Sequence, residues 1–365
     1  MANNITTLDD YLTTLDLAVD VGYVLLTSLF AVVLFAGLAI YESGFIRPHN
    51  MKIVLVKDVV IVAVAAIAFW TLGYGFGFGL DLGGFIGGGK FAYPTGGFKY
   101  SQYGDRTPFL QAASSDGSTE WFQQFVCCAA AALLAVKSLG DRTKVEAYIV
   151  FSIPFCALIY PIVVHWVFGT GFLSAYGAFP DNDGVARPLF RLTSQSNGFI
   201  DGGGSAVIHL TAGAAALVGA VVVGPRHGRF LRYENTVKKE YPANTPLLAM
   251  GVMLVWGGFL ALTVSHTLGA THLGLRQIAG KPNGGDLDKV FPGMGRAENA
   301  GKILINMTLG PAATCLTTAL ISYVAHVFFK SYDTSGSCSC ACVLKCVKIC
   351  ARARARHHTR NCACV

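Results

Sequence analysis

The stretch Gly198-Phe199-Ile200-Asp201-Gly202-Gly203-Gly204-Ser205-Ala206-Val207-Ile208-His209 runs straight into the apolar segment Leu210–Val223, and so puts an acid and an imidazole inside a membrane-length run. An ionisable group at bilayer depth costs about 2.5–3.5 kcal/mol on insertion scales, so it usually faces a cavity or a transport path. His209 is therefore the first candidate functional residue. On a helix rising about 1.5 Å per residue, Asp201 lies roughly 12 Å nearer one membrane face than His209. Two readings of Asp201 stand together: ion recruitment at the mouth, and an N-cap that satisfies free N–H groups at a helix start.

The rest of the chain has a membrane composition. Hydrophobic residues make up 53% and charged ones 13%, the latter about half the share of soluble domains. Crossing the hydrocarbon takes about 20 apolar residues, and the backbone must be helical there. Seven segments qualify: Val21–Tyr41, Ile53–Phe78, Trp121–Val136, Ala147–Phe168, Gly198–Val223, Pro246–Leu268 and Ala300–Phe329. The fold class is thus all-α integral membrane, a polytopic helix bundle. Residues 1–20 carry Asp9, Asp10, Asp16 and Asp20 in place of the basic region of a signal peptide, and read as an external leader to a retained first helix.

Lys and Arg collect after the first helix (Arg47, Lys52, Lys57), the third (Lys137, Arg142, Lys144) and the fifth (Arg226, Arg229, Arg232, Lys238, Lys239). By the positive-inside rule those loops are cytoplasmic. Loops Asp81–Glu120, Pro180–Asn197 and Gly269–Asn299 are then external, the N-terminus lies outside and the C-terminus inside. The net charge of +7 is a topology signal, and no nucleic-acid partner is needed to explain it. Nothing reads as an enzyme, a cofactor site or a metal site; the glycines of Gly83–Gly89 follow a helix and do not join strand to helix.

Four segments in order carry a family resemblance: Gly37-Leu38-Ala39-Ile40-Tyr41-Glu42-Ser43-Gly44-Phe45-Ile46-Arg47-Pro48-His49-Asn50, Leu139-Gly140-Asp141-Arg142, Tyr160-Pro161-Ile162-Val163-Val164-His165-Trp166, and the opening dodecamer. Together they resemble the ammonium transporter (Amt/Rh) family, most closely its long-looped eukaryotic members. The resemblance implies inverted five-helix repeats around a narrow hydrophobic pore, a homotrimer in the plasma membrane, and ammonium or methylammonium as substrate. It further implies that ammonium is caught at an external vestibule by aromatic rings and a hydroxyl, and crosses as a neutral molecule past two pore histidines. His209 matches the first of these, Asp201 the acid near the recruitment site and Ser265 the hydroxyl. His165 and Trp166 read as structural, as does Asn306, whose expected role is a packing hydrogen bond. Glu42 and Arg47 read as anchors and local pairs.

The departures concern the mouth. Cys127 and Leu262 stand where gate phenylalanines are expected, Phe168 stands at a position that is often Trp, and Thr263 replaces Asn. Lys137, where Gly is common, is expected to snorkel to the cytoplasmic interface. After Phe329 the chain turns to a Cys- and Arg-rich tail, 330–365, that holds seven of the eleven cysteines. Its spacing differs from zinc knuckles, and it reads as low-complexity sequence reached by a frameshift. On that reading about seven of the family's eleven helices are present, the first repeat (within 21–329) is complete and the second incomplete, and transport is weakened or lost. A non-transporting ammonium sensor, or a regulatory subunit of a trimer, is the alternative. A retinal protein is excluded, since Lys302 lies at the very start of the seventh helix. Accessibility tags placed in Gly83–Glu120 should label from outside, and tags at Arg229–Glu240 or after Lys330 only from inside; an external tail would overturn the seven-span count.

Overall fold

In the computed structural model, seven helices are long and apolar enough to cross a membrane: Ala18–Phe45, Pro48–Phe78, Ser118–Lys137, Val145–Val167, Ser205–Val223, Thr245–Ser265 and Ala300–Ile321, the first to seventh spans. The structure describes residues 8–89, 91, 118–140, 142–174, 179–180, 186–187, 199, 201–225, 230–231, 236–237, 244–267 and 297–329. The tail 330–365 and most of the loops Pro180–Asn197 and Gly269–Asn299 lie outside them. The all-α class and the seven spans agree with the sequence. Two starts differ. The first helix begins at Leu8, so from there on the expected leader is continuous with the span, and the fifth span begins at Ser205 instead of Gly198.

The first and sixth spans are held together by glycines. A Cβ on Gly37 would stand 2.6 Å from the Val255 nitrogen, one on Gly44 2.7 Å from the Leu248 nitrogen, and one on Gly258 2.6 Å from the Leu34 nitrogen; one on Gly251 would strike the Tyr41 backbone. The two helices therefore run antiparallel with their backbones touching. Lipid supplies no hydrophobic drive between helices, so small residues that allow such an approach are what brings them together. Asn244 fastens the end of this seam: its backbone N–H donates to the Gly44 carbonyl at 3.1 Å, and its side chain caps the sixth span by accepting from Leu247 N.

Three spans contain a π turn, at Phe69–Gly73, Phe155–Ile159 and Ser205–Leu210. The second lies between Pro154 and Pro161, whose rings remove two helical donors. It packs on the first, where a Cβ on Gly73 would meet the Cys156 carbonyl oxygen at 2.6 Å. Beyond the second span, Leu80–Leu82 pairs antiparallel with Ile86–Gly88, and Gly83 and Gly84 make the turn at φ 72° and 80°. The fourth span ends on this hairpin. Buried His165 has Nδ1 2.9 Å from the Gly77 carbonyl and Nε2 3.0 Å from Asp81 Oδ1, and Trp166 Nε1 donates to the Phe85 carbonyl at 2.8 Å.

At the opposite end of the bundle, buried charges join three spans. Lys57 Nζ lies 2.6 Å from Glu42 and 3.4 Å from Asp58, while Lys137 Nζ lies 2.6 Å from Glu42 and 2.5 Å from Asp58. Lys57 also sits 4.9 Å over the Tyr148 ring of the fourth span. Lys137 thus turns inward and does not snorkel, because two buried carboxylates with Lys57 alone would leave one charge uncompensated, which is strongly destabilising. The seventh span packs lightly, with Trp256 Nε1 donating to the Met307 carbonyl at 3.1 Å. Asn306 is exposed on it and makes no packing hydrogen bond among the described residues, since this helix meets its neighbour elsewhere.

A Cβ on Gly257 would have nothing within 4 Å of it, whereas one on Gly258 would strike the Leu34 backbone. Gly258→Leu should cost at least ~1–3 kcal/mol through overpacking, read as a lower melting temperature or lost monodispersity in detergent. Gly257→Leu should be tolerated. Equal damage from both would refute the seam.

Candidate functional site

The fifth span starts from a buried carboxylate. Asp201 Oδ1 accepts from Ser205 N at 2.8 Å, Ser205 Oγ at 3.1 Å and Gly203 N at 3.4 Å, and Oδ2 accepts from Ala206 N at 2.9 Å and Val207 N at 3.0 Å. Burial alone would raise the carboxyl, but these donors outweigh it and hold Asp201 below the usual aspartate value. The residue is the helix cap, and its acceptor capacity is taken up by its own turn. Gly204 makes that turn possible at φ 78°, and a Cβ on Gly203 would stand 2.9 Å from Thr263 Cγ2, so the cap lies flat against the sixth span.

The π turn that Asp201 caps carries His209. Both Ile208 N and His209 N donate to the Gly204 carbonyl, at 2.8 and 3.2 Å, which widens the turn and rotates the imidazole. Its ring packs on Phe259 at 4.9 Å between centroids and is exposed on the bundle surface. His209 is therefore at membrane depth, between the fifth and sixth spans, but not enclosed by the described residues.

Three of the other expected site residues meet around one that sequence reasoning missed, His266. Its Nδ1 lies 2.8 Å from the Leu262 carbonyl, its Nε2 3.7 Å from Cys127 Sγ, and its ring 5.4 Å from that of Phe168. A carbonyl only accepts, so Nδ1 carries the proton, and in the neutral ring Nε2 is the acceptor toward the Cys127 S–H. Cys127, Leu262, Phe168 and His266 are all buried. Ser265, the expected vestibule hydroxyl, is not free: its Oγ donates to the Leu262 carbonyl at 2.7 Å, and Gln123 Nε2 donates to its carbonyl at 3.1 Å. The signal for His266 was the one that singled out His209, an ionisable side chain inside an apolar span.

Behind this mouth, the Gln124 amide and the Tyr160 hydroxyl are buried without a hydrogen-bond partner among the described residues. Tyr160 belongs to the buried core, together with Ala129 to Leu133, Phe155 and Ile208. No group of three or more His, Cys, Asp or Glu among the described residues is placed to hold a metal ion.

Asp201→Ala should destabilise the protein by about 1 kcal/mol, as loss of a cap does, with Asp201→Asn falling between. Because the folded carboxyl sits below its unfolded value, its contribution is complete above an unfolded pKa of about 3.9 and is lost as pH falls through the lower folded value. Acid unfolding followed by circular dichroism should show that component in the parent and not in Asp201→Asn; an unchanged acid limb would refute the ionised cap.

The chain matches the model of the Ammonium Transporter Family over residues 23–342. It is similar to ammonium transporter Amt2 of Archaeoglobus fulgidus, 30% identical over 73% of this chain and 52% of that protein. It is also similar to ammonium transporter 3 of Dictyostelium discoideum, 28% identical over 65% of this chain and 46% of that one. The fold resembles a solved sensor Amt protein, with a TM-score of 0.61 and 21% identity over 87% of this chain and 64% of that chain. It also resembles Mep2 of Saccharomyces cerevisiae, with a TM-score of 0.52 and 18% identity over 69% and 50%. The chain spans about half the length of the curated relatives it matches. With seven apolar spans, an acid-capped fifth helix and a family match over most of its length, the chain belongs to the ammonium transporter family.

Proposed function

We propose that this chain takes up ammonium at the Asp201 end of the bundle and passes it across the bilayer as ammonia along the face that carries His209. The observation that carries the reading is His209 itself, an imidazole at membrane depth on a π turn, a helix irregularity that is frequent at functional sites. A neutral imidazole donates or accepts a hydrogen bond and so meets ammonia without holding a cation. The Gln124 amide and the Tyr160 hydroxyl add polar groups of the kind a small donor–acceptor molecule satisfies. On this reading the Asp201 end faces outside, the charge cluster faces the cytoplasm, and the protein works in the plasma membrane as a homotrimer.

The second reading, a non-transporting ammonium sensor or regulatory subunit, is favoured by the packing of the mouth, where Cys127, Phe168 and His266 are all buried. It also draws on the likeness to a protein titled a sensor. Uptake of radiolabelled methylammonium by cells without their own ammonium transporters separates the two. Transport predicts uptake above the empty-vector control that falls at least tenfold in His209→Ala. Ammonium-dependent thermal stabilisation without uptake selects the sensor, and neither uptake nor stabilisation overturns both.

A further inference from the structure

We propose that His266 is the gate ring of this mouth and the acceptor that a small N–H-bearing cation meets there. The two positions where a gate ring is expected carry Cys127 and Leu262, neither of them aromatic. The structure nevertheless puts a ring over both, contributed by a residue from neither position. The imidazole is fastened at its two nitrogens, Nδ1–H to the Leu262 carbonyl at 2.8 Å and Nε2 to the Cys127 thiol at 3.7 Å, and Phe168 flanks it. The ring therefore bridges the third and sixth spans and closes the gap between them.

The two fastenings differ in strength. The bond to Leu262 is of ordinary length and fixes the tautomer, whereas a thiol is a weak donor and the sulfur contact is long. A cationic N–H makes a charge-assisted bond roughly twice as strong as a neutral one, so it displaces the thiol from Nε2 and leaves the other bond intact. Phe168 adds attraction for the same cation through its ring face. Two neighbouring acceptors are committed, Asp201 to the donors of its own turn and the Ser265 carbonyl to Gln123, while the Gln123 amide oxygen is buried without a partner among the described residues. Nε2 is then an acceptor whose present partner is weak enough to exchange, and the Gln123 amide, bonded to Ser265, offers a second acceptor oxygen. A cation without N–H donors gains nothing from the exchange, which makes His266 a specificity-determining residue.

The cation half of this inference rests on the transport reading, and the closure half does not. The test is the rate at which a small water-soluble thiol reagent labels Cys127 in the full chain in detergent, in a Cys128→Ala background, followed by mass spectrometry of the third-span peptide. In the parent, Cys127 should label slowly, and a few millimolar ammonium chloride should speed it severalfold over sodium or tetramethylammonium chloride. His266→Ala should label at least tenfold faster in every salt. His266→Phe keeps a ring and removes the acceptor, so it should stay slow and lose the ammonium response, a result that loss of folding does not produce. Labelling indifferent to His266→Ala overturns the gate, and equal rates in ammonium and tetramethylammonium overturn the acceptor role. If these labelling results appear while methylammonium uptake is absent, the transport reading fails and the gate stands.

Discussion

The backbone contact between the first and sixth spans is the constraint on which the other arrangements depend. Gly37 and Gly44 on one helix and Gly251 and Gly258 on the other are each seven residues apart, a spacing that keeps both pairs on one seam. Because each glycine faces the partner's backbone, the register cannot slide by a residue without driving a side chain into a main chain. That register sets the height of Ser265 and His266 against Gln123 and Cys127 of the third span. It also brings the Tyr23 hydroxyl within 3.3 Å of Thr267. A mouth whose polar contacts span more than a hundred residues of sequence is thus fixed by four residues without side chains.

The two ends of the bundle handle polarity differently. At the charge cluster, two lysines meet two carboxylates at 2.5 to 3.4 Å, and the net charge is zero. Removing any one member leaves a buried ion unpaired, the costly case for such networks, so the cluster ties the three spans firmly together at this end. Arg142 adds to it by donating to the carbonyls of Ser138 and Gly224, which ties the third span to the end of the fifth. At the Asp201 end the carboxylate takes five donors from its own turn, while the thiol and the imidazole are held by individual hydrogen bonds, of a kind worth about 0.5–1.5 kcal/mol each.

How much of this was legible in the sequence follows from which forces act locally. The spans were legible because lipid imposes the same requirement, some 20 apolar residues, on every crossing helix. Asp201 as a cap was legible because the acid precedes glycines and a helix start within one short segment. Lys137 was misread because its preference for water was judged alone, while the carboxylates that draw it inward come from Glu42 and Asp58 on two other spans. His266 was passed over for Ser265, although the Ser265 hydroxyl donates to the Leu262 carbonyl while the His266 ring meets Cys127 and Phe168, since one step along a helix turns a side chain by about 100° and the sequence does not fix that rotation. The π turns went unread: the one at Phe155–Ile159 is flanked by Pro154 and Pro161, while those at Phe69–Gly73 and Ser205–Leu210 adjoin close contacts with other spans, Gly73 against Cys156 and Gly203 against Thr263, that no local pattern announces.

On the proposed reading, an imidazole in place of a phenylalanine gate changes what holding the gate closed requires. A benzene ring is held by packing alone, so opening it needs only room, and it treats every cation of similar size alike. An imidazole tethered by Nδ1–H to the Leu262 carbonyl keeps one edge fixed and offers the other to solutes, so opening is coupled to an exchange of hydrogen-bond partners. This ties permission to pass to the chemistry of the permeant: a donor that bonds to Nε2 better than the Cys127 thiol does also weakens the closure. Asp201 makes no contact of this kind, since its oxygens stay bound to its own turn. On the proposed reading the acid holds the helix start in place, and the imidazole supplies the contact with the cation.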